Sequence, residues 1–124
     1  KMLMIQFICH PGCSTCKKAR QWLDSKGISY HVRDIRLENP SAEELRLWQA
    51  KSGVPLRKFF NTSGQLYRSM GLKQRLEDMD DEELLALLAS DGMLVRRPLL
   101  VLEDSVLVGF REDAWNKVLG QNVT

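Results

Sequence analysis

The sequence predicts an α/β fold built as strand–helix–strand, a long helical block, then strand–strand–helix, around a mixed four-stranded sheet. Three observations predict it. An apolar run from Met2 to Cys9 is stopped by His10-Pro11-Gly12 and followed at once by a helical pattern. A stretch dense in helix-start and turn signals then separates the second strand from the rest. Near the end, two short apolar segments, Pro98–Leu102 and Val106–Phe110, lie close together.

Each element has its own justification. Met2 to Cys9 is interrupted only by Gln6, which suits a strand buried on both faces. From Ser14 to Lys26 the apolar residues Cys16, Ala19, Trp22 and Leu23 recur at helical spacing, Lys17, Lys18, Arg20 and Asp24 take the other face, and Gly27 fits a C-cap. Ile28 to Ile35 reads as a second strand, so the unit is a βαβ crossover with a parallel pair. Ser41 to Glu44 forms a capping-box start with Leu45 and Trp48 behind it, and Ser52-Gly53 ends that helix. Val54 to Leu76, punctuated by Pro55, Gly64 and Gly71, is expected to form short helical turns. Asp80-Asp81-Glu82-Glu83 opens another helix with acids at the positive end of its dipole and Leu84, Leu87 and Leu88 inward; Ser90-Asp91-Gly92 closes it. Glu103-Asp104-Ser105 joins the last two strands as a hairpin. The final helix carries Trp115, Val118 and Leu119 on one face and stops at Gly120.

At 124 residues the chain reads as one domain, residues 1–124, with a helical insertion at approximately 38–93 packed as a subdomain or lid, not as a second independent core. Apolar residues make up 44% and charged residues 27%, which argues against general disorder and coiled coil. Eighteen Lys and Arg against 16 Asp and Glu give a net charge of +2, too weak an excess to predict direct nucleic-acid binding. No apolar run approaches the roughly 18 residues of a membrane span, and the N-terminal run is broken by Gln6, Cys9 and His10 with no small-residue cleavage site after it. No membrane contact is therefore expected, and the location is expected to be cytoplasmic. Lys1 ahead of Met2 reads as an added residue.

Three cysteines do not make a secreted disulfide framework, and a close pair in such a chain points to redox or metal chemistry. Cys13-Ser14-Thr15-Cys16 sits where a buried strand gives way to a helix. The first helical turn offers unpaired N–H groups and about half a positive charge, so a thiolate at Cys13 is favoured there. Cys16 lies one turn deeper on the same side, where its sulfur can reach Cys13. That arrangement suits a nucleophile and a resolving thiol. A zinc site would need two more ligands; Cys9 and His10 could complete the count, but adjacent strand residues point to opposite faces. Two inert buried thiols are the other alternative. Cys9 reads as a core residue at a strand end. No metal and no cofactor are expected.

These residues resemble the arsenate-reductase-like branch of the thioredoxin superfamily, which includes the ArsC reductases and the Spx/MgsR regulators. The resemblance covers nearly the whole chain through three motifs in order. They are Cys13-Ser14-Thr15-Cys16-Lys17-Lys18-Ala19, then Phe59-Phe60-Asn61-Thr62-Ser63-Gly64 with Met70-Gly71-Leu72, then the segment from Ser90 to Pro98. It implies a thioredoxin-like fold and a nucleophilic Cys13. It also implies arginines that bind an oxyanion: Arg97, just before the third strand, and Arg111, after the fourth. Planar guanidinium donors match a tetrahedral oxyanion and stabilise a neighbouring thiolate. Pro98 corresponds to the superfamily's cis-proline. The sequence departs from the reductases in two places. A third arginine falls near Asn61 here, with Arg57 and Lys58 close by. The loop also holds two cysteines, as in Spx-type regulators, so an internal disulfide is feasible.

Two functions follow. In one, Cys13 attacks an oxidised centre (an arsenate or a disulfide), Arg97, Arg111 and Asn61 hold the anion, and Cys16 resolves the intermediate. Thioredoxin or glutaredoxin/glutathione then supplies electrons. In the other, the chain is a redox-sensing regulator resembling Spx. The cysteine pair is then a switch, and Lys17, Lys18 and Arg20 meet an acidic partner, an RNA polymerase subunit.

Overall fold

The computed structural model describes residues 4–120, so the expectations for Lys1, Met2 and Leu3 lie outside the described residues. Its elements are β1 (Gln6–Cys9), α1 (Ser14–Ser25), β2 (His31–Asp34), α2 (Ala42–Ser52), α3 (Gln65–Ser69), α4 (Leu72–Arg75), α5 (Asp81–Ser90), β3 (Leu99–Val101), β4 (Val106–Val108) and α6 (Glu112–Leu119). Single 3-10 turns occupy Leu56–Phe59, Leu76–Asp78 and Gly92–Leu94. The sheet order is β2-β1-β3-β4. β1 runs parallel to β2, pairing Phe7 with Val32, and antiparallel to β3, pairing Phe7 with Leu100; β3 and β4 are antiparallel, with Leu100 opposite Leu107.

The strands alternate faces as a period of two requires, and that alternation divides the core. Ile8, Leu99, Val101 and Val106 join Leu45, Trp48, Phe59, Leu84 and Leu88 from the helical block on one face. Phe7, Cys9 and Leu100 join Cys16, Ala19, Trp22, Leu23, Trp115 and Leu119 from α1 and α6 on the other. The segment between β2 and β3 thus covers one whole face of the sheet and shares its core. On the opposite face Trp115 packs edge-on to Trp22 at 6.1 Å and to Phe110 at 4.8 Å, and its indole N–H donates to Gly109 O at 3.0 Å.

Local chemistry sets the boundaries. The expected capping box forms, Glu44 N–H donating to Ser41 Oγ while Ser41 N–H donates to the Glu44 carboxylate, and Asp80 and Glu83, expected only as acids at the helix start, make a second one. β2 begins at His31, not Ile28, because the preceding residues close α1. Gly27 turns left-handed at φ 68°, and the Ile28 amide returns to Leu23 O at 3.1 Å. β1 starts at Gln6, with Met4 left 73% exposed. Gly92 does not cap α5; it opens the next 3-10 turn, and Asp91 caps that turn by accepting from Met93 N–H at 2.8 Å. Leu85, not singled out by the periodicity, is buried beside Leu84 and Leu88.

Candidate active site

The cysteine loop is made by β1 ending and α1 beginning. The Cys13 amide donates to His10 O at 3.0 Å, and the Gly12 amide donates to His10 Nδ1 at 2.9 Å, so the histidine organises the turn twice. An Nδ1 that accepts leaves a neutral ring its proton on Nε2. Cys13 is the N-cap of α1, with extended backbone, and its side chain makes no capping hydrogen bond. Cys16 is the third residue of the helix, the position that a capping residue ordinarily faces. Cys13 is half-buried, whereas Cys16 is 4% and Cys9 6% exposed; all three are free thiols.

The sulfurs are not independent. The His10 amide donates to Cys16 Sγ at 3.5 Å. Cys16 is hydrogen-bonded to Cys9, buried, and beside Cys13, and these push its thiol well above the usual range. Cys9 moves the other way, below the usual range, because the Cys16 S–H donates to it and Arg20 adds positive charge, outweighing the opposing effect of burial. Cys16 therefore holds a proton in the reduced protein.

A second group of residues is brought to the loop by two backbone clamps. Asn61 N–H donates to Leu94 O at 2.8 Å and Arg96 N–H donates to Phe59 O at 2.7 Å, with an isolated antiparallel bridge between Phe60 and Val95. These clamps tie the central motif to the segment entering β3, where the Arg97–Pro98 peptide bond is cis and Pro98 is buried. The result is a cavity of about 550 Å³ walled by His10, Gly12, Cys13 and the first residues of α1 on one side, and by Phe60, Asn61, Arg96 and Arg97 on the other. Two guanidinium groups and no carboxylate line it, so its charge favours an anion. Arg97 is held in place by donating to Val95 O at 3.1 Å and Met93 O at 3.3 Å. Asn61 accepts from Ser63 Oγ at 3.2 Å.

Cys13, Asn61 and Arg97 meet in this cavity; Arg111 is not among the residues that line it. β4 ends at Val108, and after Gly109 and Phe110 the chain has already turned, so Arg111 becomes the exposed N-cap of α6, next to Glu112 and Asp113. Arg96 supplies the second guanidinium instead, lying against Gly109. A Cβ at Gly109 would fall 2.8 Å from Arg96 Nε, and the backbone there sits at φ 75°. The doublet Arg96-Arg97 facing a glycine was the legible signal for it. His10 was weighed only as a metal ligand; its signal was its place between the first strand and the nucleophile. Among the described residues no group of three or more His, Cys, Asp or Glu is arranged to hold a metal ion.

The chain is 45% identical over 115 residues to YusI of Bacillus subtilis, an uncharacterised protein, covering 93% of this chain and 98% of YusI. It is 28% identical over 120 residues to the global transcriptional regulator Spx of Enterococcus faecalis, covering 97% of this chain and 89% of Spx. Among solved structures, an ArsC-family-related protein of Bacteroides fragilis superposes with a TM-score of 0.92 at 47% identity, covering 95% of this chain and 99% of that one. A Streptococcus mutans protein described as a possible arsenate reductase superposes at 0.82 and 46% identity, covering 89% and 93%. The fold is thioredoxin-like, as the three motifs implied. The ArsC family pattern matches residues 9–118, from the strand end beneath the cysteine loop through both clamped motifs into the last helix, and the chain belongs to the ArsC family.

Proposed function

We propose that the protein is a thiol-dependent oxidoreductase in which Cys13 is the nucleophile and Cys16 the resolving thiol. The observation that carries this reading is the cavity itself. The most accessible of the three sulfurs opens into it, a second thiol lies one helical turn beneath, and Arg96 and Arg97 stand on the facing wall. With a disulfide substrate, the Cys13 thiolate bonds to one substrate sulfur and the other leaves as a thiolate. Cys16 then attacks the Cys13 sulfur, the second substrate thiolate leaves, and a Cys13–Cys16 disulfide remains. An arsenate would draw the same two electrons from the dithiol. Thioredoxin or glutaredoxin/glutathione returns them.

The electrostatics order these steps. Cys16 stays protonated while Cys13 is a free thiol, so it does not compete for substrate. The Cys9 hydrogen bond and burial hold that proton; bonding of Cys13 to substrate removes only the lesser contribution of Cys13, and the His10 amide 3.5 Å from Cys16 Sγ is placed to support the resolving thiolate. The test is reductant-dependent turnover: a thioredoxin or glutaredoxin system coupled to NADPH oxidation, with arsenate and a series of anionic disulfides as substrates. Turnover that Cys13→Ser abolishes supports the reading; no turnover with any pairing overturns it.

A regulatory reading is favoured by one specific observation, the full-length likeness to Spx. There the same pair acts as a switch, and exposed Lys17, Lys18 and Arg20 meet an acidic partner, an RNA polymerase subunit. Capture of such a subunit without turnover supports that reading.

A further inference from the structure

Cys9 is the one thiol the proposed reaction leaves unused. It ends β1, is almost fully buried, and shares a core cluster with Cys16, against which Cys13 also packs. The sulfur of Cys16 is placed at this strand end by the His10 amide, the next peptide unit after Cys9, at 3.5 Å. Cys9 and Cys16 pack in one buried cluster with Cys13 against it, and the Cys16 thiol is perturbed by both of the others. Cys16 is thus the middle sulfur of three, common to both contacts.

We propose that the three cysteines form an internal thiol–disulfide relay in which Cys9 displaces Cys13 from Cys16, leaving a buried Cys9–Cys16 disulfide and a free Cys13. The proposal rests on the reading that a Cys13–Cys16 disulfide forms first, through a low-molecular-weight disulfide as oxidant. The relay step is an isomerisation with no net electron transfer. Cys9 sulfur, losing its proton, bonds to Cys16 sulfur, the Cys13–Cys16 bond breaks, and the Cys13 thiolate leaves and takes up the proton. Attack at the middle sulfur expels the Cys13 sulfur, which lies at the cavity where it can take up the proton. The Cys16 S–H to Cys9 bond exists only in the dithiol. It records that the sulfurs touch and does not set the exchange rate.

The consequence is an oxidised protein that again presents a reduced nucleophile at its cavity. The oxidising equivalent is stored where outside thiols reach it only by reversing the exchange through Cys13.

Disulfide mapping tests this. The reduced full chain is treated with one equivalent of oxidised glutathione, quenched in acid, alkylated, and mapped by mass spectrometry. The expected product is Cys9–Cys16, at least as abundant as Cys13–Cys16, with Cys13 carrying the alkyl group. The oxidised protein should also retain one thiol that reacts with iodoacetamide before denaturation. Cys9→Ala should give only Cys13–Cys16 and no such thiol. Cys13→Ser should form Cys9–Cys16 roughly tenfold more slowly or worse, because oxidation enters through the accessible sulfur. A Cys13–Cys16 disulfide with Cys9 alkylated in full overturns the relay and leaves the oxidoreductase reading intact. Absence of both disulfides overturns the two together. The wild-type map alone decides if Cys9→Ala does not fold.

Discussion

Gly92→Ala probes the point where the site's two halves are pressed together. Gly92 is buried, and a Cβ there would lie 2.0 Å from the Ile35 carbonyl oxygen and 3.1 Å from Asn39 Cβ. Real Cβ contacts do not fall below 3.0 Å, so the approach must open by about 1 Å, and the obstructing atom is backbone. Ile35 is fully buried and its amide donates to Cys9 O at 2.9 Å, so it cannot retreat without disturbing the end of β1. On the other side, Gly92 begins the turn that leads through Val95 to Arg96 and Arg97. Overpacking of this kind costs about 1–3 kcal/mol, and two backbone segments with no soft side chain between them put this case at the upper end. That predicts a melting temperature lower by roughly 10 °C, since about 1 kcal/mol moves a domain of this size by about 3–5 °C. Gly27→Ala is the control: φ is 68° and nothing lies within 4 Å of its Cβ, so only the left-handed conformation is penalised, by about 1–2 kcal/mol. Urea unfolding of both variants against wild type measures the difference at constant m. A Gly92→Ala protein within about 0.5 kcal/mol of wild type would refute the close approach and with it the claim that the two halves meet there.

The remaining predictions concern chemistry and charge. Cys13→Ser should abolish disulfide exchange with substrate, whereas Cys16→Ser should accumulate a mixed disulfide on Cys13, visible as an adduct mass; equal, mild effects of both changes would contradict the assigned roles. Arg97→Ala and Arg96→Ala should each weaken binding of an anionic ligand by about tenfold, the worth of one charge-assisted hydrogen bond of about 1.4 kcal/mol, while Arg111→Ala leaves it unchanged; calorimetric titration measures all three. Glu44→Gln should destabilise the protein at pH 7 by about 1 kcal/mol after allowance for solvent screening of a partly exposed carboxylate. Arg33 holds Glu44 through two 2.8 Å bonds and depresses its pKa, so this stability is present above the unfolded carboxylate pKa of about 4.3 and is lost as pH falls through the folded value. Melting curves of wild type and variant should converge in acid; because Gln can still complete the capping box, a gap that persists there would refute the assignment to the ion pair with Arg33.

Much of this architecture was legible because its signals are local. Hydrophobic period, two capping boxes and the glycine after α1 each act within a few residues, and each fixed an element. Strand ends were less legible because they depend on neighbours. Ile28 looks like strand, yet its amide is used to close α1; Met4 looks like strand, yet its side chain is exposed. The cavity shows the same division. Cys13 announces itself through its place between a strand and a helix. Arg96 and His10 announce themselves only by adjacency, to Arg97 and to the cysteine loop, because what qualifies them is tertiary: a guanidinium laid against Gly109, and an imidazole nitrogen turned back onto the Gly12 amide. The placement of Arg111 outside the cavity lining is tertiary in the same way, since a residue two positions after a glycine turn is placed by the direction the turn takes.

The packing around the cysteines also constrains how oxidation could be read by a partner. Cys16, Ala19, Trp22 and Leu23 anchor α1 in the core, and Trp22 is further held against Trp115 and Phe110. Sliding or rotating that helix would expose several of these groups, and losing even one large core contact costs about 2–5 kcal/mol. A disulfide between Cys13 and Cys16 therefore leaves the lysine-bearing face of α1 where it is. The element best placed to respond is the turn His10–Cys13, which carries no core side chain of that kind, is closed by two hydrogen bonds to His10 and tied to α1 by the His10 amide to Cys16 Sγ and the Lys17 amide to Cys13 O, and forms one wall of the cavity. On the proposed reading, a Cys13–Cys16 disulfide that has not yet exchanged with Cys9 marks the redox state at the cavity rim, beside Arg96 and Arg97, for a substrate or an RNA polymerase subunit alike. A regulator that senses Cys13 must be recognised there and not through Lys17, Lys18 and Arg20 alone. Charge reversal at those three residues should accordingly weaken a partner's binding to the reduced and oxidised forms by the same factor, whereas Arg96→Ala should change the ratio between them.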